Sequence, residues 1–171
     1  MANLNPIFRN PAVAEKVTLF TRVRNGPRVD HPAQAGALMK TQYIALRPDL
    51  AAAEAIKALH RAADQNAGKL GAKFYIYVTD EEGHLVGVFS LSELIAAHPG
   101  TLVQEFMKAP VIRVEQNLDV RTVAQTIAEF NLLEMPVVDD QNRLQGIITA
   151  EDALDTVLPP FWRKRLPRFS R

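Results

Sequence analysis

The sequence of 171 residues contains no cysteine. Disulfides, thiolate metal sites and cysteine nucleophiles are therefore excluded, and a reducing cytoplasm is the natural compartment. No apolar run approaches the roughly 20 residues that span a bilayer. Met1 to Asn10 also lacks the apolar stretch of a secretory signal. The four histidines, His31, His60, His84 and His98, show no metal spacing such as H-E-x-x-H. There is no G-x-S-x-G, no P-loop and no dinucleotide-binding glycine fingerprint, so an enzyme is not expected.

Net charge is also nearly absent, at +1. Its distribution is uneven. Arg163, Lys164, Arg165, Arg168 and Arg171 give residues 160–171 a charge of +5 with no acid, so the rest of the chain carries −4. With 47% hydrophobic and 23% charged residues, the composition is that of a soluble globular protein, long enough to bury a core without a staple.

What the chain does have is a repeat. Met39-Lys40-Thr41-Gln42-Tyr43-Ile44 matches Met107-Lys108-Ala109-Pro110-Val111-Ile112, 68 positions later. Val86-Gly87-Val88-Phe89-Ser90 matches Gln145-Gly146-Ile147-Ile148-Thr149, 59 positions later. The difference of nine is an insertion in the first copy around Asp64 to Ala72, where Asn66, Gly68 and Gly71 signal a loop.

Each copy reads β-α-β-β-α. A short strand comes first, Gln42 to Leu46 and then Val111 to Val114. An amphipathic helix follows. Leu50 to Ala63 places Ala53, Ile56, Leu59 and Ala63 on one face, and Asp119 to Asn131 does the same with Val120, Val123, Ile127 and Phe130. Next are hairpins, Phe74 to Thr79 with Leu85 to Ser90, and Pro136 to Asp139 with Leu144 to Thr149. Their connectors have turn composition. Short helices close the units at Leu91 to Ala97 and Ala150 to Leu158. A unit of roughly 60 residues buries little surface alone, so two packed face to face is the expected mixed α/β (α+β) architecture.

Tyr75-Ile76-Tyr77-Val78-Thr79-Asp80 and Met135-Pro136-Val137-Val138-Asp139, each followed by a hairpin and a Gly-x-x-Ser/Thr-x-x-acid run, resemble the CBS domain. The tandem arrangement resembles a Bateman module over about residues 37–158. Ala35-Gly36-Ala37-Leu38-Met39 and Ala150-Glu151-Asp152-Ala153-Leu154-Asp155 are similar to the CBS region of MgtE-type magnesium transporters. The resemblance divides the chain into an N-terminal arm, 1–36, with a short helix near Pro11 to Phe20; a first CBS domain, 37–99; a second, 100–158; and a basic aromatic tail, 159–171. It implies a disc-like homodimer that senses an adenine nucleotide (AMP, ADP or ATP), Mg²⁺, or both.

By that resemblance the nucleotide-binding residues are Thr149, Asp152, Ile112, Tyr75, Pro136, Ser90 and Glu93. Thr149 can donate to a phosphate at the start of the last helix, and Asp152 can accept from vicinal ribose hydroxyls. The architectural alternative is equally concrete: Thr149-x-x-Asp152 is close to a helix cap, and Ser90-Leu91-Ser92-Glu93 is a capping box. Asp119, Glu151 and Asp155 are candidate Mg²⁺ ligands, because Mg²⁺ takes oxygen ligands and keeps waters. Against them stands a solvated acidic helix end.

The sequence departs from the MgtE-type pattern in several places. Ser92-Glu93 stands where an Arg-Asp pair is expected, Leu132 where an aromatic is, and Asn131 where an acid is. Pro160, Arg163 and Lys164 replace an acidic stretch. In the tail, Phe161, Trp162 and Leu166 are expected to pack back on the module, leaving the cations for a transporter or an anionic membrane surface; nucleic acid is a less favoured partner. The rival readings are a magnesium sensor and a structural dimerisation module with empty clefts.

Overall fold

A computed structural model describes residues 34–65 and 75–157, together with the backbone strand Val17–Thr18. The insertion loop and the basic tail lie outside the described residues. The elements run β1 (Val17–Thr18), α1 (Ala35–Leu38), β2 (Ala45–Leu46), α2 (Ala52–Gln65), β3 (Tyr75–Thr79), β4 (Leu85–Ser90), α3 (Leu91–Ala96), α4 (Val103–Phe106), β5 (Val114–Glu115), α5 (Val120–Glu129), β6 (Glu134–Val138), β7 (Leu144–Thr149) and α6 (Ala150–Val157). The sheets are ordered β1-β2-β3-β4 and β5-β6-β7.

The two halves repeat down to backbone detail. β2 is parallel to β3, and β5 to β6, while each hairpin is antiparallel. Register shifts fall at Val78/Thr79 and Val137/Val138, the same position in each copy. In the turns that follow, Asp80 Oδ1 accepts from the Glu82 and His84 amides, and Asp139 Oδ1 from those of Gln141 and Arg143. Gly83 and Asn142 both take positive φ, 88° and 62°. Glycine and asparagine are the residues that adopt this conformation cheaply. The turns also meet: the Leu85 amide donates to the Asn142 carbonyl at 2.9 Å, and the Leu144 amide to the Gly83 carbonyl at 3.0 Å.

Three expectations need correction. Val17 and Thr18, placed by the sequence in a helix, instead pair antiparallel with Leu46 and Ala45. Two β-branched residues suit the open edge of β2. The stripe of α2 that is buried is Ala52, Ala55, Ala58 and Ala62, one position from that expected. Methyl side chains let the helix lie close to the sheet, while Ile56 and Leu59 flank the contact. Phe130 is half exposed, because α5 ends there. Asn131, at φ 50°, closes the helix with the Leu132 amide donating to the Ile127 carbonyl.

The helices α1 and α4, which lead into the two repeats, are exchanged between them. Ala35 packs in the core of the second repeat with Val123, Ile127 and Ile148. Val103 packs in the core of the first with Ile44, Ile76 and Phe89. Past each helix the chain pairs with the other repeat's hairpin: Lys40 exchanges both backbone hydrogen bonds with Ile147, and Lys108 both with Val88. Glycine permits this approach, since a Cβ on Gly146 would lie 2.7 Å from the Lys40 carbonyl oxygen. A third core of Tyr43, Ala45, Tyr77, Leu85, Val138, Leu144 and Ile147 lies between the repeats.

Candidate ligand cleft between the repeats

A cleft of about 230 Å³ opens where the two repeats meet. The β3–β4 hairpin supplies Tyr75, Tyr77 and Val88; the segment after α4 supplies Lys108, Pro110, Val111 and Ile112; and the second repeat supplies Leu132, Glu134 and Pro136. Its walls are mostly apolar, with a few polar groups among them, the usual make-up of a small-molecule site. Glu134 and Tyr77 are buried, at 4% and 1% exposure. Burial, and secondarily the Glu134 carboxylate, push the Tyr77 hydroxyl well above its ordinary pKa, so it stays neutral.

The first-repeat acid stands at the edge of this cleft. Ser90 is the register partner of Tyr75 and the N-cap of α3. Glu93 Oε2 accepts from the Ser90 amide at 2.7 Å and from its hydroxyl at 2.8 Å. Glu93 Oε1 lies 2.7 Å from Lys108 Nζ. Partial burial works to raise the Glu93 carboxyl, but Lys108 and the Ser90 donors outweigh it and hold it below the ordinary value. Glu93 in turn raises the Lys108 ammonium.

Thr149 and Asp152 repeat this arrangement away from the cleft. Thr149 Oγ1 donates to Asp152 Oδ2 at 2.5 Å and accepts from the Asp152 amide at 3.2 Å. Lys40 Nζ meets the same carboxylate. The first-copy counterpart of cleft-lining Val111 is Tyr43. Its ring is buried in the core between the repeats, and its hydroxyl donates to the Leu144 carbonyl at 3.0 Å. Burial pushes this hydroxyl up to about 12.

The expected nucleotide set therefore separates. Tyr75, Ile112 and Pro136 line one cleft, with Ser90 and Glu93 at its edge; Thr149 and Asp152 hold the equivalent positions in the second repeat, outside that lining. Among the proposed Mg²⁺ ligands, Asp119 caps α5 and accepts from the Arg121 amide at 2.8 Å, while Glu151 and Asp155 are exposed on α6. These three do not converge within the chain. Among the described residues, Asp80, Glu82 and His84 are the group whose ligand atoms come within metal-binding distance of one another. Asp80 already serves its turn as Asp139 does in the second copy, where Gln141 and Arg143 replace the acid and the imidazole.

Sequence reasoning missed Lys40, Lys108, Tyr77 and Glu134. The signal for the lysines was present, since Met39-Lys40 and Met107-Lys108 mark the start of the repeat. What it lacked was the exchange that carries each lysine to the other half's acid.

A duplicated β-α-β-β-α unit with a cleft at the seam defines a class of paired modules. The CBS domain family profile matches residues 35–100 and 103–159, and the chain belongs to that family. It is 40% identical over 124 residues to the magnesium transporter MgtE of Thermus thermophilus, covering 72% of this chain and 27% of the transporter. It is 36% identical to that of Enterococcus faecalis, covering 72% and 26%. The chain thus spans about a quarter of the curated relatives it matches. Among solved structures it is similar to the cytosolic domain of the Mg²⁺ channel MgtE in complex with ATP. That match has a TM-score of 0.69 and 39% identity, and it covers 74% of this chain and 50% of the other. It also resembles the CBS domain pair of protein MJ0100 in complex with 5′-methylthioadenosine and S-adenosylmethionine. There the TM-score is 0.56 and the identity 26%, with coverage of 70% and 94%. Among the described residues no helix is long and apolar enough to cross a membrane.

Proposed function

We propose that this chain is a regulatory, non-catalytic CBS pair that binds an adenine nucleotide in the cleft between its repeats. The observation that carries the proposal is the convergence of Tyr75, Ile112 and Pro136 on one cleft whose edge holds Ser90 and Glu93. The apolar walls suit a purine, and the acid suits the vicinal hydroxyls of a ribose. Similarity to CBS pairs solved with ATP and with adenosine compounds supports the choice of adenine. Thr149 and Asp152 form a second, weaker position, since Tyr43 takes up the room that Val111 leaves open in the first.

The regulatory step follows from where the cleft lies. It is built from β3, the segment after α4, and β6, so a ligand touching all three favours one arrangement of the repeats. Working in the cytoplasm, such a module reports nucleotide level to a partner. Similarity to MgtE supports a membrane transporter as that partner, with the basic tail facing it or the membrane surface. The exposed Leu91 and Ile95 on α3, and Leu154 and Val157 on α6, support a homodimer. Mg²⁺ would accompany the nucleotide phosphates, or bridge Asp119, Glu151 or Asp155 between copies.

Isothermal calorimetry with AMP, ADP and ATP, each with and without Mg²⁺, tests the proposal. Saturable heat with at least one nucleotide is expected. No heat with any of them, from folded protein, refutes nucleotide sensing and leaves the dimerisation module.

A further inference from the structure

We infer that Lys108 makes this cleft selective for phosphorylated nucleotides over nucleosides, by passing from Glu93 to the phosphate when ligand enters. The inference rests on the reading that the cleft takes an adenine nucleotide, and it names which part of that ligand is required.

The geometry divides the Glu93 carboxylate into two halves. Oε2 is held by the Ser90 amide and hydroxyl within α3's own capping box, so the carboxylate stays in place whatever else happens. Oε1 is held by Lys108, which comes from the other repeat and lines the cleft. The backbone of Lys108 is fixed by two hydrogen bonds to Val88, at 2.8 and 3.1 Å. Its side chain is 73% exposed and free to swing. A pair this exposed is weakly held, and an ammonium on a four-carbon stem re-aims its three donors easily.

A nucleotide exchanges partners without loss. Its ribose hydroxyls take the place of the ammonium at Oε1, and the displaced ammonium finds the phosphate. A nucleoside offers the hydroxyls alone, so Lys108 loses its carboxylate and gains nothing. A plain cap at this position would have no need of a cation from the other repeat. Lys40 also reaches Asp152 from the other repeat, but there the ammonium and the capping Thr149 hydroxyl meet the same oxygen, Oδ2, so the divided carboxylate belongs to Glu93.

The test compares AMP with adenosine by calorimetry, using the full chain and Lys108→Met, Lys108→Arg and Lys57→Met. Wild type is expected to bind AMP about tenfold or more tighter than adenosine, the scale of one charge-assisted contact. Lys108→Met should weaken AMP by about that factor and strengthen adenosine, because Oε1 is released. Lys108→Arg should keep the preference, and Lys57→Met, an exposed lysine paired with Glu54 on α2, should change neither. Equal wild-type affinity for AMP and adenosine overturns the inference and leaves the nucleotide reading standing. So does a Lys108→Met protein that loses both ligands alike while its thermal midpoint is unchanged. Absence of binding by either ligand overturns both.

Discussion

Lys108 Nζ lies 2.7 Å from Glu93 Oε1, joining the lead-in of the second repeat to the cap of the last helix in the first. Lys40 and Asp152 make the reciprocal pair. The two bridges mark an exchange in which each repeat finishes the other's sheet and carries a cation to the other's acid. Both are too exposed to contribute much stability; what sets the first apart is that its lysine lines the cleft.

If the open cleft is the binding position, the two acids are not equivalent. Glu93→Ala should weaken AMP or ATP by about tenfold, the scale of hydrogen bonds to a charged group. Asp152→Ala should change affinity less. Calorimetry on both variants checks the order, and a larger loss from Asp152→Ala would move the site to the other half.

The exchange of α1 and α4 makes the halves interdependent. Val103 is fully buried in the first repeat's core although it leads into the second. Val103→Ala should cost about 1–3 kcal/mol, and urea unfolding should remain one transition with a lowered midpoint. Two separated transitions would contradict an exchanged core.

Glycine substitutions at the two crossings should differ. On Gly146 a Cβ would meet the Lys40 carbonyl oxygen at 2.7 Å, a backbone atom that cannot turn away. On Gly87 the Cβ would meet the sulfur, Cγ and Cβ of Met107, a side chain that can turn where a backbone carbonyl cannot. Gly146→Ala should therefore destabilise by about 1–3 kcal/mol, and Gly87→Ala by less. Chemical denaturation of the two variants compares them directly.

The carboxyls of Glu93 and Asp80 are held below their ordinary values of 4.5 and 3.8. For Asp80, burial raises the carboxyl, but hydrogen bonds from His84 and the Glu82 amide outweigh it. A lowered folded value means that the ionised form stabilises the fold. That contribution is complete above the ordinary value and is lost as pH falls through the lowered one. Urea midpoints should fall as pH drops below about 4.5. Glu93→Gln and Asp80→Asn should each flatten part of that fall.

The duplicated core was legible in the sequence because its signals are local. Asp80-Glu81-Glu82-Gly83 and Asp140-Gln141-Asn142-Arg143 announce the hairpins, and the spacing of Val120, Val123 and Ile127 announces α5. The strand edges Leu85–Ser90 and Leu144–Thr149 were read without error. The four-residue helices α1 and α4 were not legible, since so short a segment shows no period. The stripe on α2 was misread because alanine is a weak hydrophobic signal beside Ile56 and Leu59. Of the expected site residues, Tyr75, Ile112 and Pro136 share one cleft, and that grouping was not legible in the sequence. Tyr75 and Pro136 line the cleft that Lys108 shares with them, and only the exchange of the lead-in segments shows that Lys108 pairs with Glu93 while Lys40 pairs with Asp152.

The most direct test of a ligand at the seam is to follow backbone amides by NMR as AMP is added. Shifts should concentrate at Tyr75–Tyr77, Lys108, Val111–Ile112 and Leu132–Glu134, with the exposed face of α2 unchanged. Shifts confined to the β6–β7 turn at Asp139–Asn142, or none at saturating AMP, would contradict the account.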